Sequence, residues 1–269
     1  MLTAYFQVMY LLNFNNVRKL EVAMKKIPVL SEGAFPPGMT DFPTSPQDVY
    51  RTIVNKMLDQ REFDDQPLRI LSWVLHAARP LKMEELQEAL AVDENVTELL
   101  ETYKTAPETI LKSCEDLVDY DKYTRVVNFT HDTVREFLEE HCKDQLFPPQ
   151  DLAKTCLYYL GLDEFNKPCP DQNALQIRLE KFKFTEYACE HWGFHGRGTP
   201  KDEVDIEEVT FRTLETADKL QSVAQINRYM SFGRVDFPQQ SILFHSLALN
   251  GLSTLCKRFL DKKVQEGGQ

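Results

Sequence analysis

The chain has 269 residues, 42% of them hydrophobic and 27% charged, with a formal net charge of −11. The length exceeds one ordinary domain, and the apolar content is enough for real cores. Such an acid excess excludes general affinity for nucleic acid or anionic membranes unless a local basic patch offsets it, and only ten glycines favour helices over turn-dense β folds.

Residues 2–12 are apolar, but the first charge is Arg18 and no small-residue cleavage site follows, so they read as a buried helix rather than a leader. They are also shorter than the roughly 20 residues needed to span a bilayer. Val17, Leu20, Met24 and Ile27 repeat at helical spacing over 16–27, and Pro28 closes that helix. Prolines at 28, 36, 37, 43 and 46 make 28–46 a loop or linker. Ser45-Pro46 then opens a helix striped by Val49, Tyr50, Ile53, Val54, Met57 and Leu58.

Residues 68–78 are apolar on nearly every side, as the central helix of a core must be. Arg79-Pro80-Leu81 is a short extended step, and Met83, Leu86 and Leu90 resume as a helix. After the acidic stretch 93–106, a third helix is expected over Thr109–Asp116, packing through Ile110 and Cys114. Alternation over 117–120 and 125–129, around a turn at Asp121-Lys122, predicts a hairpin. Thr133-Val134-Arg135-Glu136 spells a capping box for the next helix. This order describes a mainly α fold with a central winged helix of three helices and a small β-wing. Its expected core is Ile70, Leu71, Trp73, Val74, Leu86, Leu90, Val127, Phe129, Phe137 and Leu138.

Beyond Pro149 helices are expected at 150–160, 171–183, 184–195, 204–217 and 218–230, with loops at 168–170 and 193–200. Ser241–Lys262 reads as a helix-turn-helix with Gly251 at the turn.

Few residues suggest chemistry. Gly33-Ala34-Phe35-Pro36-Pro37-Gly38-Met39-Thr40 imitates a phosphate-binding loop, but Met39 replaces the required lysine and two prolines remove amide donors. No G-x-S-x-G nucleophile string occurs. His191 and His195 have a metal-ligand spacing beside Cys189, without the rest of a zinc motif, and read as aromatic packing. The six cysteines (114, 142, 156, 169, 189, 256) form no CxxC, the pattern of reduced thiols in a cytoplasmic protein. No catalytic residue, metal site or cofactor is expected. From 93 to 121 nine acidic residues face Lys104 and Lys112 alone, which opposes the use of the third helix on DNA. His131-Asp132 reads first as the end of the wing and the start of a helix. Its functional reading is a histidine aimed at a phosphate.

Leu71-Ser72-Trp73-Val74, Arg79-Pro80-Leu81, Glu85-Leu86-Gln87-Glu88-Ala89-Leu90 and Thr130-His131-Asp132-Thr133-Val134-Arg135-Glu136-Phe137-Leu138 together resemble the winged helix of NACHT-type, signal-transducing STAND ATPases. The same domain is catalogued as the GPI inositol-deacylase winged helix. Residues 4–60 look like the helical tail of a NACHT module, 184–198 resemble its helical spacer, and 241–262 resemble a degenerate first ankyrin repeat. The resemblance implies units at 1–62, 63–145, 146–236 and 237–269, with the nucleotide-binding motifs upstream of residue 1. In that family the histidine of a Met-His-Asp-like motif contacts ADP. His131 and Asp132 fall on that motif, with Thr130 in place of Met. The function implied is a non-catalytic regulatory module docking on a protein partner or on its own nucleotide-binding domain, with no nucleic acid or membrane as partner. The alternatives are an acidic DNA-binding winged helix and the ADP-sensing part of a switch ATPase. The deacylase label implies no lipase activity, because nothing here serves as its nucleophile.

Overall fold

Pro46 has no amide proton to lose in a first helical turn, so it starts α1 (Pro46–Asp59) without cost. A computed structural model describes residues 46–197, 200–214 and 216–233. The expected helices at 2–12 and 16–27, most of the proline-rich stretch, the Gly33–Thr40 string and the ankyrin-like 241–262 lie outside the described residues. On α1, Val49, Tyr50, Val54 and Met57 are buried, with Ile53 and Leu58 packed at the margin of the core.

In α2 (Gln66–His76) Leu68, Ile70, Leu71, Trp73 and Leu75 are all buried, so the helix is enclosed nearly all round. Ala77 leaves the helix with an extended ψ, and Pro80 then biases Arg79 away from helical geometry. The chain runs extended into an antiparallel bridge between Lys82 and Val126. That bridge lies one residue beyond the expected Arg79–Leu81 step, and it adds a third short edge to the wing. The Val127 amide donates to the Leu81 carbonyl and the Met83 amide to the Arg125 carbonyl, each at 2.9 Å.

Next come α3 (Met83–Leu90), a 3-10 turn at Glu101–Tyr103 and α4 (Pro107–Ser113). Here α4 ends three residues short of the expected Asp116. Glu115 and Asp116 take left-handed backbone conformations, φ 45° and 62°, which an α-helix of L-residues does not accommodate. That reversal turns the chain into the wing, and Lys56 of α1 holds the Glu115 carboxylate. The wing pairs β1 (Val118–Asp121) with β2 (Val126–Phe129), Val118 opposite Phe129 and Tyr120 opposite Val127. Asp121 therefore belongs to the strand rather than to the turn. Its carboxylate accepts from the Tyr123 amide and the Thr124 hydroxyl at 2.8 Å each, which shapes the 122–125 loop.

The expected capping box does not form. The cap of α5 (Asp132–His141) is His131, without a side-chain capping bond, so Thr133 lies two residues too deep to cap. Its hydroxyl instead meets the Tyr50 phenol at 2.9 Å and ties α1 to α5. Among the expected core residues, Ile70, Leu71, Trp73, Leu86, Leu90, Val127, Phe137 and Leu138 are buried. Val74 and Phe129 are only partly buried, packed against the same core. Both sit near Arg135, which stacks on Phe129 at 5.2 Å and donates to the Val74 and Leu75 carbonyls.

The helical segment follows as α6 (Pro149–Leu160), a 3-10 turn at Asp163–Phe165, α7 (Gln172–Lys181), α8 (Thr185–His195), α9 (Pro200–Thr213) and α10 (Ala217–Phe232). α8 keeps Gly193, where a loop was expected, because Trp192 and His195 are buried on the helix and hold its last turn in the core. In the Pro168-Cys169-Pro170 loop only Cys169 has a backbone N–H, and the buried Gln225 amide pairs with both its N–H and its C=O at 2.8 Å. One hydrophobic core runs from α1 to α10 without a break.

Candidate docking face of the winged helix

In winged helices that read DNA, the third helix and the wing are the surface a duplex would meet. Here those elements are α4 and the β1–β2 hairpin. Glu108, Asp119 and Asp121 are exposed on them and Asp116 between them, with Lys122 exposed in the loop of the wing. Lys104, one of the two lysines in the 93–121 stretch, turns inward and bonds Glu88 at 3.0 Å and Glu101 at 2.8 Å. Burial alone would lower its pKa, but these two carboxylates outweigh that and raise it, so Lys104 stays charged and committed to the interior. Lys112 is exposed. At the wing, Arg125 pairs with Glu84, and the Tyr123 ring projects fully into solvent.

At the end of the wing the Thr130 amide and hydroxyl bond the Leu117 and Asp116 carbonyls, locking strand to loop. His131, extended at φ −143° and ψ 146°, hands the chain to α5, and its carbonyl accepts from Val134. Asp132 is exposed in the first turn, where a negative charge complements the helix dipole. The pair is thus placed at a strand–helix junction with half-buried His131 beside a helix N-terminus.

Behind this face lies a polar network that sequence reasoning did not anticipate. Glu88 of α3 is fully buried and accepts from Lys104, from the Tyr159 phenol at 2.6 Å and from the Phe184 amide at 2.9 Å. Burial first, then the adjacent Glu88 charge, pushes the Tyr159 phenol well up, so it remains a donor. Glu85 takes a bidentate bond from Arg79 at 2.8 and 2.9 Å and also accepts the Lys82 amide. Arg79 lies over the Tyr187 ring at 5.1 Å.

Trp73 meets Phe184, Tyr187 and His195 edge-on, with centroids 5.4–6.1 Å apart. The Tyr187 hydroxyl bonds His195 Nε2 at 2.8 Å and accepts from the Ala78 amide at 2.9 Å. His191 packs on Tyr187 at 4.6 Å. The aromatic packing read for Cys189, His191 and His195 is what the structure contains, and it joins the helical segment to the winged helix. The Glu-Leu-Gln-Glu string of α3 carries Glu85 and Glu88, but their partners lie too far along the chain for periodicity to reveal.

Residues 54–148 match the family model described as the GPI inositol-deacylase, winged helix domain. No curated protein matches the chain, and no solved structure does. No described helix is long and apolar enough to cross a membrane. The order α2, extended step, α3, α4, hairpin, α5 and the family match agree: the middle of this chain is a winged helix similar to that of GPI inositol-deacylase.

Proposed function

We propose that the chain is a non-catalytic, cytoplasmic regulatory module that acts by docking its winged helix on another protein surface. Within the resemblance to NACHT–ankyrin signalling ATPases, that surface is a nucleotide-binding domain. One observation carries the reading: along residues 93–121 Asp93, Glu94, Glu98, Glu101, Glu108, Asp116, Asp119 and Asp121 are exposed, while Lys104 is held inside by Glu88 and Glu101 and leaves Lys112 as the exposed lysine of that stretch. A surface of that sign repels phosphate and suits a basic protein face. The test is duplex DNA binding by fluorescence anisotropy at about 50 and 200 mM salt. No salt-dependent binding is expected, and an affinity that falls steeply with salt would overturn the proposal.

The ADP-sensing reading has one feature in its favour, the placement of His131 at the start of α5, where helix N–H groups and dipole attract anions. Calorimetric ADP binding that His131→Ala abolishes would establish it.

A further inference from the structure

The joint between the winged helix and the helical segment depends on a histidine in an unusual position. His195 ends α8 with 1% of its surface exposed, and its Nδ1 is buried with no hydrogen-bond partner. Its Nε2 meets the Tyr187 hydroxyl, which already receives the Ala78 amide just past α2. With the phenol donating to Nε2, a relay runs from Ala78 N–H through Tyr187 O–H to a neutral imidazole. Trp73 covers the imidazole from α2 and Phe194 from its own helix. α9 brings Ile206 beside Gly196 at the same end.

We infer that this relay is a proton-operated latch: neutral His195 holds the winged helix to the helical segment, and protonating it releases them. A second ring proton would meet the phenol donor at Nε2 and put a positive charge, in an apolar box, on a ring whose Nδ1–H already has no acceptor. The surrounding charges do not rescue it. His191 on α8 and His76 on α2 both disfavour a charge on His195. Arg79 lies over Tyr187, and its guanidinium is bonded to Glu85 of α3. Glu190 faces His191 at 3.5 Å. Arg135, Glu139 and Lys143 surround His76 instead, and Cys156 of α6 reaches Tyr187 only as a buried thiol. Burial first, then these two histidines, holds His195 down to about 4, so the latch operates below pH 6.5.

The test follows three signals in the full chain as pH falls: tryptophan fluorescence, far-UV circular dichroism and the Ala78 amide by hydrogen exchange. Between pH 6.5 and about 4 the fluorescence should change and Ala78 should lose protection while helicity is kept. His195→Gln, whose amide oxygen still accepts from Tyr187 but cannot titrate, should abolish that step. A step that persists unchanged in His195→Gln, or that Glu88→Gln removes instead, overturns the latch. Should His195→Gln not fold at neutral pH, NMR titration of the wild-type ring decides. His195 staying neutral through pH 6.5 and protonating together with the Ala78 opening supports the latch. Protonation near the ordinary histidine value, or without any opening, refutes it.

Discussion

Replacing Glu88 by alanine removes the only buried carboxylate that touches three separate parts of the described fold. The Phe184 amide and the Tyr159 phenol lose their acceptor in a site with no exposed surface, and Lys104 keeps only the exposed Glu101. An unsatisfied buried donor costs about 1–3 kcal/mol, and breaking a buried ion pair from one side costs about 3–5 kcal/mol. These overlap because one side chain serves all three partners, so the expected loss is about 3–5 kcal/mol rather than their sum. Glu88→Gln keeps an oxygen for Tyr159 and Phe184 but turns an amide toward Lys104, and should lose about 1–3 kcal/mol. Urea denaturation followed by circular dichroism measures both. A loss under about 1 kcal/mol for Glu88→Ala would mean that water reaches the carboxylate, and the interior placement of this network would be wrong.

Trp73→Ala should cost about 3–5 kcal/mol, because it empties the box formed with Phe184, Tyr187 and His195, and a loss below a third of that would count against α2 as the central helix. Arg135→Met keeps the stem over Phe129 but deletes the bonds to the last carbonyls of α2, so about 1–3 kcal/mol should be lost in the same denaturation assay, with the fold retained. Stability should also fall with acid. His195 binds its proton more weakly in the folded chain, about 4, than in the unfolded one, 6.5, so its contribution is complete above 6.5 and is lost as pH falls through 4. At one pKa unit per 1.36 kcal/mol that is at most about 3 kcal/mol, readable as the difference between wild-type and His195→Gln denaturation midpoints across that window.

Element types were legible from the chain alone wherever local pattern and burial agree. α2 is apolar all round and sits at the centre. α1 shows its stripe, and the hairpin alternates as a half-buried β pair must. The acid excess of residues 93–121 was equally plain, since charge needs no coordinates. Local spelling misled where a distant partner competed for the same group, as when Tyr50 took the Thr133 hydroxyl from a capping role. It was silent where the backbone took left-handed turns at Glu115 and Asp116 without a glycine to announce them. The joint between winged helix and helical segment belongs wholly to the tertiary structure. Glu88 finds Tyr159 and Phe184 across 71 and 96 residues, and Ala78 finds Tyr187 across 109. Whether a carboxylate or an imidazole can be buried depends on donors and acceptors brought from such distances, and no periodicity in a linear sequence encodes them.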